Sequence, residues 1–452
     1  MPTLFVYLFA MLAVIMAWFI LFKRPIYEAI CVSFIVLLTM SGTWGQLGSF
    51  FDKAISTSLI YSMTAFVAMS IVLTETQVLD GCINIILAIL GKVPGGAGYV
   101  SVIASSFMGA LSGSGPANVM STGAITIPAM KRSGFPPELA ANIESNASYL
   151  GNMIPPSSNI VAAFGAYLAL YPSTDMSVGQ FWIVLWGISF WFILQRMIMI
   201  YIFCRKYDIK PMNAEDVPDL KQSLKENWQG MMLPVIILFP FLLDYMFKDT
   251  FFTARLGAAG AGYMSSSLMI FIAGLSTMYA CLIVKDKKRV TPANLAEMFE
   301  DSITSIAPTI GTCLIGYMVG AMFNTLDLSA EMELFIMSMD LNKFSMVVVI
   351  CLITCFLGMI IPGSSLTVIF GSAFITALAS VGVNPLLAAG MLPCICGVMC
   401  GITPPLGLGM YAGMAIAESD FKKTFNNNLW WVAAQFALQI VVLMNWIPIF
   451  GI

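Results

Sequence analysis

Histidine is absent from all 452 residues. Its absence removes serine–histidine nucleophilic chemistry and the usual nitrogen ligands of zinc. Charge is scarce as well. The 21 Lys and Arg and 24 Asp and Glu make up 10% of the chain, against 59% hydrophobic residues. A soluble chain of this length needs far more charge to cover its surface, so the composition points to a polytopic membrane protein. No CxxC pair occurs among the ten cysteines, and the tightest group is Cys394, Cys396 and Cys400. Without histidine, these thiols read as small, polarizable packing residues. A GxGD aspartate pair is missing too, which leaves an intramembrane enzyme without its chemistry. The N-terminus lacks a basic n-region and a small-residue cleavage site, so the stretch from Leu4 reads as a first span. No nucleic-acid partner is expected.

Apolar stretches are what the chain has in abundance. A helix needs about 20 such residues to cross roughly 30 Å of hydrocarbon. Ten crossings are expected, near 3–22, 27–42, 59–79, 138–171, 180–203, 230–247, 257–284, 306–326, 386–417 and 429–449. Two further segments, near 98–130 and 345–378, are expected to turn back as re-entrant helical hairpins. Clusters of Lys and Arg mark cytoplasmic loops. With both termini outside, every basic cluster falls inside, and only isolated Lys53, Lys248, Arg255 and Lys343 fall outside. Arg196, near the inner end of its span, is expected to snorkel to the headgroups.

The polar stretch 204–229 divides the chain into two halves that resemble each other. Gly109 matches Gly358 (358 − 109 = 249), and the same offset carries Val119 to Val368, Pro136 to Pro385 and Pro155-Pro156 to Pro404-Pro405. Earlier, Phe51–Ser56 resembles Phe299–Thr304, and both read as short interfacial helices. Threaded by charge, the halves have opposite orientation, an inverted repeat of the kind that builds many secondary transporters. The expected division is a first repeat over 1–203 (hairpin 98–130, broken helix 138–171), a cytoplasmic connector over 204–229, and a second repeat over 230–452 (hairpin 345–378, broken helix 386–417).

Each half carries one Gly/Pro/Ser-rich turn inside its hairpin and one interruption in the crossing that follows. The turns are Leu111–Ser121 and Ile360–Val368; the interruptions are Gly151–Ser158 and Gly401–Leu406. Non-helical backbone at membrane depth is tolerated only where protein or a wet cavity surrounds it. Helix ends at a break offer carbonyls to a cation, and helix starts offer N–H groups to a carboxylate. Ser112, Ser114, Asn118 and Asn152 add neutral oxygens in the first half, and Ser364, Ser365, Thr367 and Thr403 in the second. Such oxygens without an acidic cage suit sodium better than calcium. Asn118 and Thr403 are expected as exposed polar groups at the breaks. Glu144 is a carboxylate in an apolar helix, with three roles open: proton coupling, a sodium ligand at a distance, or a structural partner of Asn146.

The run Gly109–Pro156 resembles the first hairpin and following broken helix of the large, DctM-type membrane subunit of tripartite ATP-independent periplasmic (TRAP) transporters. Gly358–Gly407 resembles that family's second hairpin and break. The resemblance implies an all-α inverted-repeat carrier that moves like an elevator and imports a small organic acid with at least two sodium ions. It also implies two partners, a separate four-helix small membrane subunit and a soluble substrate-binding protein outside, and the bacterial inner membrane as location. The family's sodium sites carry over onto Ser112, Gly113 and Asn118 with Gly151, Asn152 and Pro155. The second site carries over onto Pro362, Gly363 and Ser364 with Gly401, Thr403 and Pro404. Ser114, Asn118, Ser157, Asn159, Ser365 and Thr367 are the substrate-binding candidates. One departure stands out: many relatives have an acidic residue in the second turn, where this chain has Pro362-Gly363-Ser364-Ser365. The nearest alternative is a sister family of divalent-anion or tricarboxylate symporters, proton-coupled through Glu144.

Overall fold

Glycine and proline punctuate a chain that is otherwise apolar for long stretches, and the helices are interrupted where they fall. A computed structural model of the protein describes residues 3–18, 22, 24, 26–56, 58–78, 80–174, 176–327, 331, 334, 341–359, 363–404 and 407–452. Among these residues the regular structure is entirely helical. Pro362, Pro405 and Leu406 lie outside the described residues, as do the side chains of Ser112 and Ser365.

The first hairpin pairs helix Gly96–Ser112 with helix Gly115–Arg132. Gly113 reverses the chain at φ +63°, a left-handed conformation that glycine adopts without steric cost. The arms lie antiparallel, with Asn118 Nδ2 donating to the Ser105 carbonyl at 2.7 Å. The second hairpin pairs Lys343–Gly358 with Gly363–Ser380. Both hairpins run two residues further at each end than hydropathy marks, because polar residues such as Lys131, Arg132 and Lys343 still extend the helices.

The first broken helix runs Pro137–Leu150, makes one tight turn over Gly151–Met153, and resumes as Ser158–Leu170 at an angle of 40°. The second runs Pro385–Leu392, widens by one residue per turn over Pro393–Val398, closes with Met399–Ile402 and resumes as Leu408–Ala417. Pro393, which has no N–H to continue the α ladder, starts the widened turn. These interrupted helices are the centre of the molecule. Every residue from Leu139 to Tyr167 and from Leu387 to Thr403 is buried.

The remaining helices enclose this centre, and several depart from hydropathy. Only Val178–Tyr207 and Pro385–Ile402 are single described helices long and apolar enough to cross a membrane. Three bent pairs reach that length together: Glu28–Ser41 with Trp44–Ile55 (119°), Pro137–Met153 with Ser158–Leu170, and Leu220–Asn227 with Met232–Ser265 (61°). The bend of 119° lays helix Leu47–Ile55 across the end of its predecessor, as the interfacial reading expects. Its counterpart at 299–304 instead merges into one helix, Pro292–Thr325. Asp80–Leu90 is helical where hydropathy marks only a connection. The connector is more than a strap: Asp219 caps helix Leu220–Asn227, and Asp216 pairs with Arg132 at 3.2 Å. Arg196 does not snorkel. It is fully buried, beside Phe192, and its Nε and Nη2 have no partner among the described residues.

Candidate transport site at the two helix breaks

Helix Pro137–Leu150 brings Asn142, Glu144, Ser145, Asn146 and Ser148 into the interior, all fully buried. Buried polar groups need partners, and these find them on neighbouring helices. Glu144 accepts from five hydroxyls: Ser101 at 2.7 Å, Ser105 at 2.8 Å, Thr122 at 2.5 Å, Thr126 at 2.5 Å and Ser148 at 2.9 Å. Two come from each arm of the first hairpin and one from its own helix. The carboxylate therefore clamps the hairpin to the broken helix. Asn146 is not its partner; that amide donates to the Asn142 carbonyl and to Asn428 Oδ1.

Close backbone approach sets the rest of the geometry. A methyl group on Gly109 would lie 2.4 Å from the Ser148 carbonyl oxygen, and one on Gly151 would lie 2.4 Å from the Gly109 carbonyl carbon. Only paired glycines let the first hairpin touch the first break so closely. The second half repeats the contact with Gly358 against Cys400 Cβ, and with the Gly363 N–H donating to Cys400 Sγ at 3.2 Å. The two halves then meet: Gly397 faces Asn152 Cβ and Asn159 Nδ2.

Each break has one carbonyl held from outside. Ser189 donates to the Met153 carbonyl at 3.0 Å, and Asn428 Nδ2 to the Ile402 carbonyl at 2.5 Å. Both donors sit on the long helix that follows each broken one, Val178–Tyr207 and Phe421–Leu443. The non-helical turns are braced.

The sequence candidates distribute unevenly over this centre. Gly113, Gly151, Asn152, Pro155, Ser157 and Asn159 gather at the first break; Gly363, Gly401, Thr403 and Pro404 belong to the second hairpin and break. Ser157 caps helix Ser158–Leu170, accepting from the Asn159 N–H. Asn118 and Thr403 are not exposed. Asn118 bridges the Ser105 carbonyl and Ser148 Oγ, and Thr403 donates to the Met399 carbonyl at 2.7 Å. Thr367 is also buried and donates to the Gly363 carbonyl. Ser114 is exposed at the hairpin tip and Ser364 is half-buried. The expectations on Pro362 and on the side chains of Ser112 and Ser365 fall outside the described residues.

One feature escapes sequence reading. Tyr149 is buried with its ring in a slot formed by three glycines; methyl groups on Gly115, Gly401 and Gly409 would each lie within 2.5 Å of that ring. Asn152, a sodium candidate from the sequence, presents its Oδ1 as a buried acceptor with no partner among the described residues, where the two breaks meet.

Two helical hairpins packed on two interrupted helices, around an enclosed centre of amides and hydroxyls, define a polytopic membrane carrier. The sequence matches the family described as "Tripartite ATP-independent periplasmic transporter, DctM component" over residues 5–450. The chain belongs to that family, whose members are transporter subunits and not enzymes. The sister-family alternative gives way to this match. Among its relatives, the "C4-dicarboxylate TRAP transporter large permease protein DctM" of Pseudomonas aeruginosa is 25% identical over 403 residues, covering 88% of this chain and 86% of that one. The protein of the same description from Vibrio cholerae is 27% identical over 405 residues, covering 85% and 84%. The crystal structure of the Alcanivorax borkumensis YdaH transporter matches with a TM-score of 0.65 at 15% identity, covering 90% of this chain and 88% of that one, and shows a shared fold.

Proposed function

We propose that the protein is the large membrane subunit of a sodium-coupled importer of small organic acids, with C4-dicarboxylates the first class to test. Asn152 Oδ1 carries this reading. A buried carbonyl oxygen without a donor costs about 1–3 kcal/mol, and a bare cation relieves that cost. Thr403 and Thr367 donate their hydroxyl protons to backbone carbonyls, which turns their oxygen lone pairs outward as acceptors. The donor set at both breaks is neutral oxygen, which fits sodium. At the first site Gly113, Asn118, Gly151, Asn152 and Pro155 would hold the ion; at the second, Gly363, Ser364, Gly401, Thr403 and Pro404. Bound sodium supplies positive charge beside the substrate carboxylates, and the chain's own residues fix where that charge sits.

The two inverted repeats, 1–203 and 230–452, then act as one unit. The hairpins and broken helices form the moving body, and the helices around them form the frame of an elevator. Glu144 locks the first hairpin to its broken helix, so that the body moves without coming apart. Ser114, Ser157 and Asn159 face the substrate side of the centre, with the N-terminus of helix Ser158–Leu170 offering N–H groups to a carboxylate. A separate small membrane subunit and an extracytoplasmic binding protein complete the system in the inner membrane.

The test is uptake of radiolabelled succinate by cells without other dicarboxylate carriers, expressing this chain with its small subunit and binding protein. Uptake in sodium medium and none in choline medium is expected. Equal uptake in both media overturns the sodium coupling, and no uptake of C4-dicarboxylates in either overturns the substrate class.

A further inference from the structure

A cavity of about 410 Å³ and another of about 300 Å³ open on opposite faces of the molecule, as placed by the charge threading. The smaller one lies on the side threaded as external. Its walls are Ala162, Gly165 and Ala166 of helix Ser158–Leu170, Gly316 and Gly320 of helix Pro292–Thr325, and Val368 with Ser372 of the second hairpin. Most of that lining is small, with Leu168 and Tyr317 the larger side chains besides Val368 and Lys53. Lys53 is the one charged residue among its described lining. That lysine is exposed, stands in the last turn of helix Leu47–Ile55, and has no ion-pair partner among the described residues.

The floor of this cavity adjoins the candidate site. Ala162 is one helical turn beyond Ser158, and Val368 is one turn beyond Ser364. Gly371 packs on Ala166 one turn further from the breaks, where a methyl group would lie 3.0 Å from Ala166 Cβ. A single ammonium at the mouth of a low-dielectric, uncharged cavity focuses its field inward. The volume is at the lower end of what small-molecule sites enclose.

We propose that Lys53 recruits small carboxylates into this external cavity, which stages the anion one helical turn short of the helix breaks. The substrate class rests on the carboxylate reading above; recruitment of anions does not.

The test separates the two. Ser372→Cys places a thiol in the cavity wall, and intact cells expressing the full transporter are treated with impermeant methanethiosulfonates, one anionic (ethylsulfonate) and one cationic (ethyltrimethylammonium). The reaction of the parent chain, with its native cysteines, is subtracted. With Lys53 present, the anionic reagent gains relative to the cationic one. Lys53→Glu should lower that ratio about tenfold at low ionic strength, with the difference shrinking in 0.5 M salt. Lys53→Arg should keep it. The same Glu variant should raise KM for succinate about three- to tenfold while kcat and the sodium dependence hold. A ratio unchanged by Lys53→Glu, or no labelling of the Ser372→Cys variant from outside, overturns the proposal. A changed ratio in a chain whose wild type carries no succinate upholds anion recruitment and removes the carboxylate reading instead.

Discussion

Replacing Glu144 tests whether its carboxylate is a structural clamp or a proton carrier. The five hydroxyls around it do not depend on it equally. Ser105 also reaches Thr122 Oγ1 at 3.1 Å, Thr122 the Asn118 carbonyl at 2.8 Å, and Thr126 the Thr122 carbonyl at 3.1 Å. Those three keep an acceptor when the carboxylate is removed. Ser101 and Ser148 have no second acceptor among the described residues. Glu144→Ala therefore orphans two buried hydroxyls at about 1–3 kcal/mol each, for a loss of about 2–6 kcal/mol before any cavity cost. Glu144→Gln keeps the volume, and the hydroxyls can rotate to accept from its amide, so a loss of about 1–3 kcal/mol is expected. A thiol-reactive fluorophore reads this directly in detergent, since Cys394, Cys396 and Cys400 are buried until the centre opens. The thermal midpoint should fall in the order wild type, Gln, Ala. Residual uptake by the Gln variant should keep the sodium and pH dependence of the parent. An Ala variant that melts with the wild type, or a Gln variant that loses only a pH-driven component, refutes the clamp.

Asn152→Ala removes an oxygen that has no partner among the described residues, so it should raise the sodium concentration for half-maximal uptake about tenfold with little change in thermal midpoint. A lowered midpoint with unaltered sodium activation would make Asn152 a packing residue. Gly401→Ala drives a methyl group into the Tyr149 ring and should cost about 1–3 kcal/mol or more; adding Tyr149→Leu should recover part of that loss. Arg196→Met removes a buried guanidinium, two of whose nitrogens have no partner among the described residues, and the thermal midpoint should hold or rise, as it does when buried charges are replaced by apolar residues of similar size. A sharp fall would mean that a bound anion or water satisfies that cation.

The punctuation of the fold was legible because its signals are local. Gly113 at a positive φ, Pro155-Pro156, and the polar turn inside the first hairpin each act within a few residues, and the first hairpin and the first break stand where those signals place them. What could not be read depends on neighbours distant in sequence. Tyr149 owes its slot to Gly115, Gly401 and Gly409, which come from three segments and carry no shared pattern. Arg196 looked like a residue at a membrane edge, because only packing reveals that other helices cover it. For Glu144 a signal was present: Ser101 with Ser105, and Thr122 with Thr126, are hydroxyl pairs at i, i+4 spacing on the two arms of one hairpin. Such pairs put two donors on one helix face, and two facing pairs describe a receptacle for a carboxylate. The burial of Asn118 and Thr403 escapes the sequence for a related reason, since a polar residue near a break can also hydrogen-bond to the backbone around it.

Sodium-driven accumulation is the core of the account, and purified protein reconstituted with its small subunit and binding protein measures it most directly. Labelled succinate is followed into vesicles under an inward sodium gradient without a pH gradient, and then under a pH gradient without sodium. The account predicts accumulation in the first case only, rising sigmoidally with sodium as two ions bind. It also predicts sensitivity to voltage only if net charge moves, at about 2.3 kcal/mol per charge per 100 mV. Full accumulation driven by the pH gradient in sodium-free buffer would contradict it and would make Glu144 the first candidate for the proton's path.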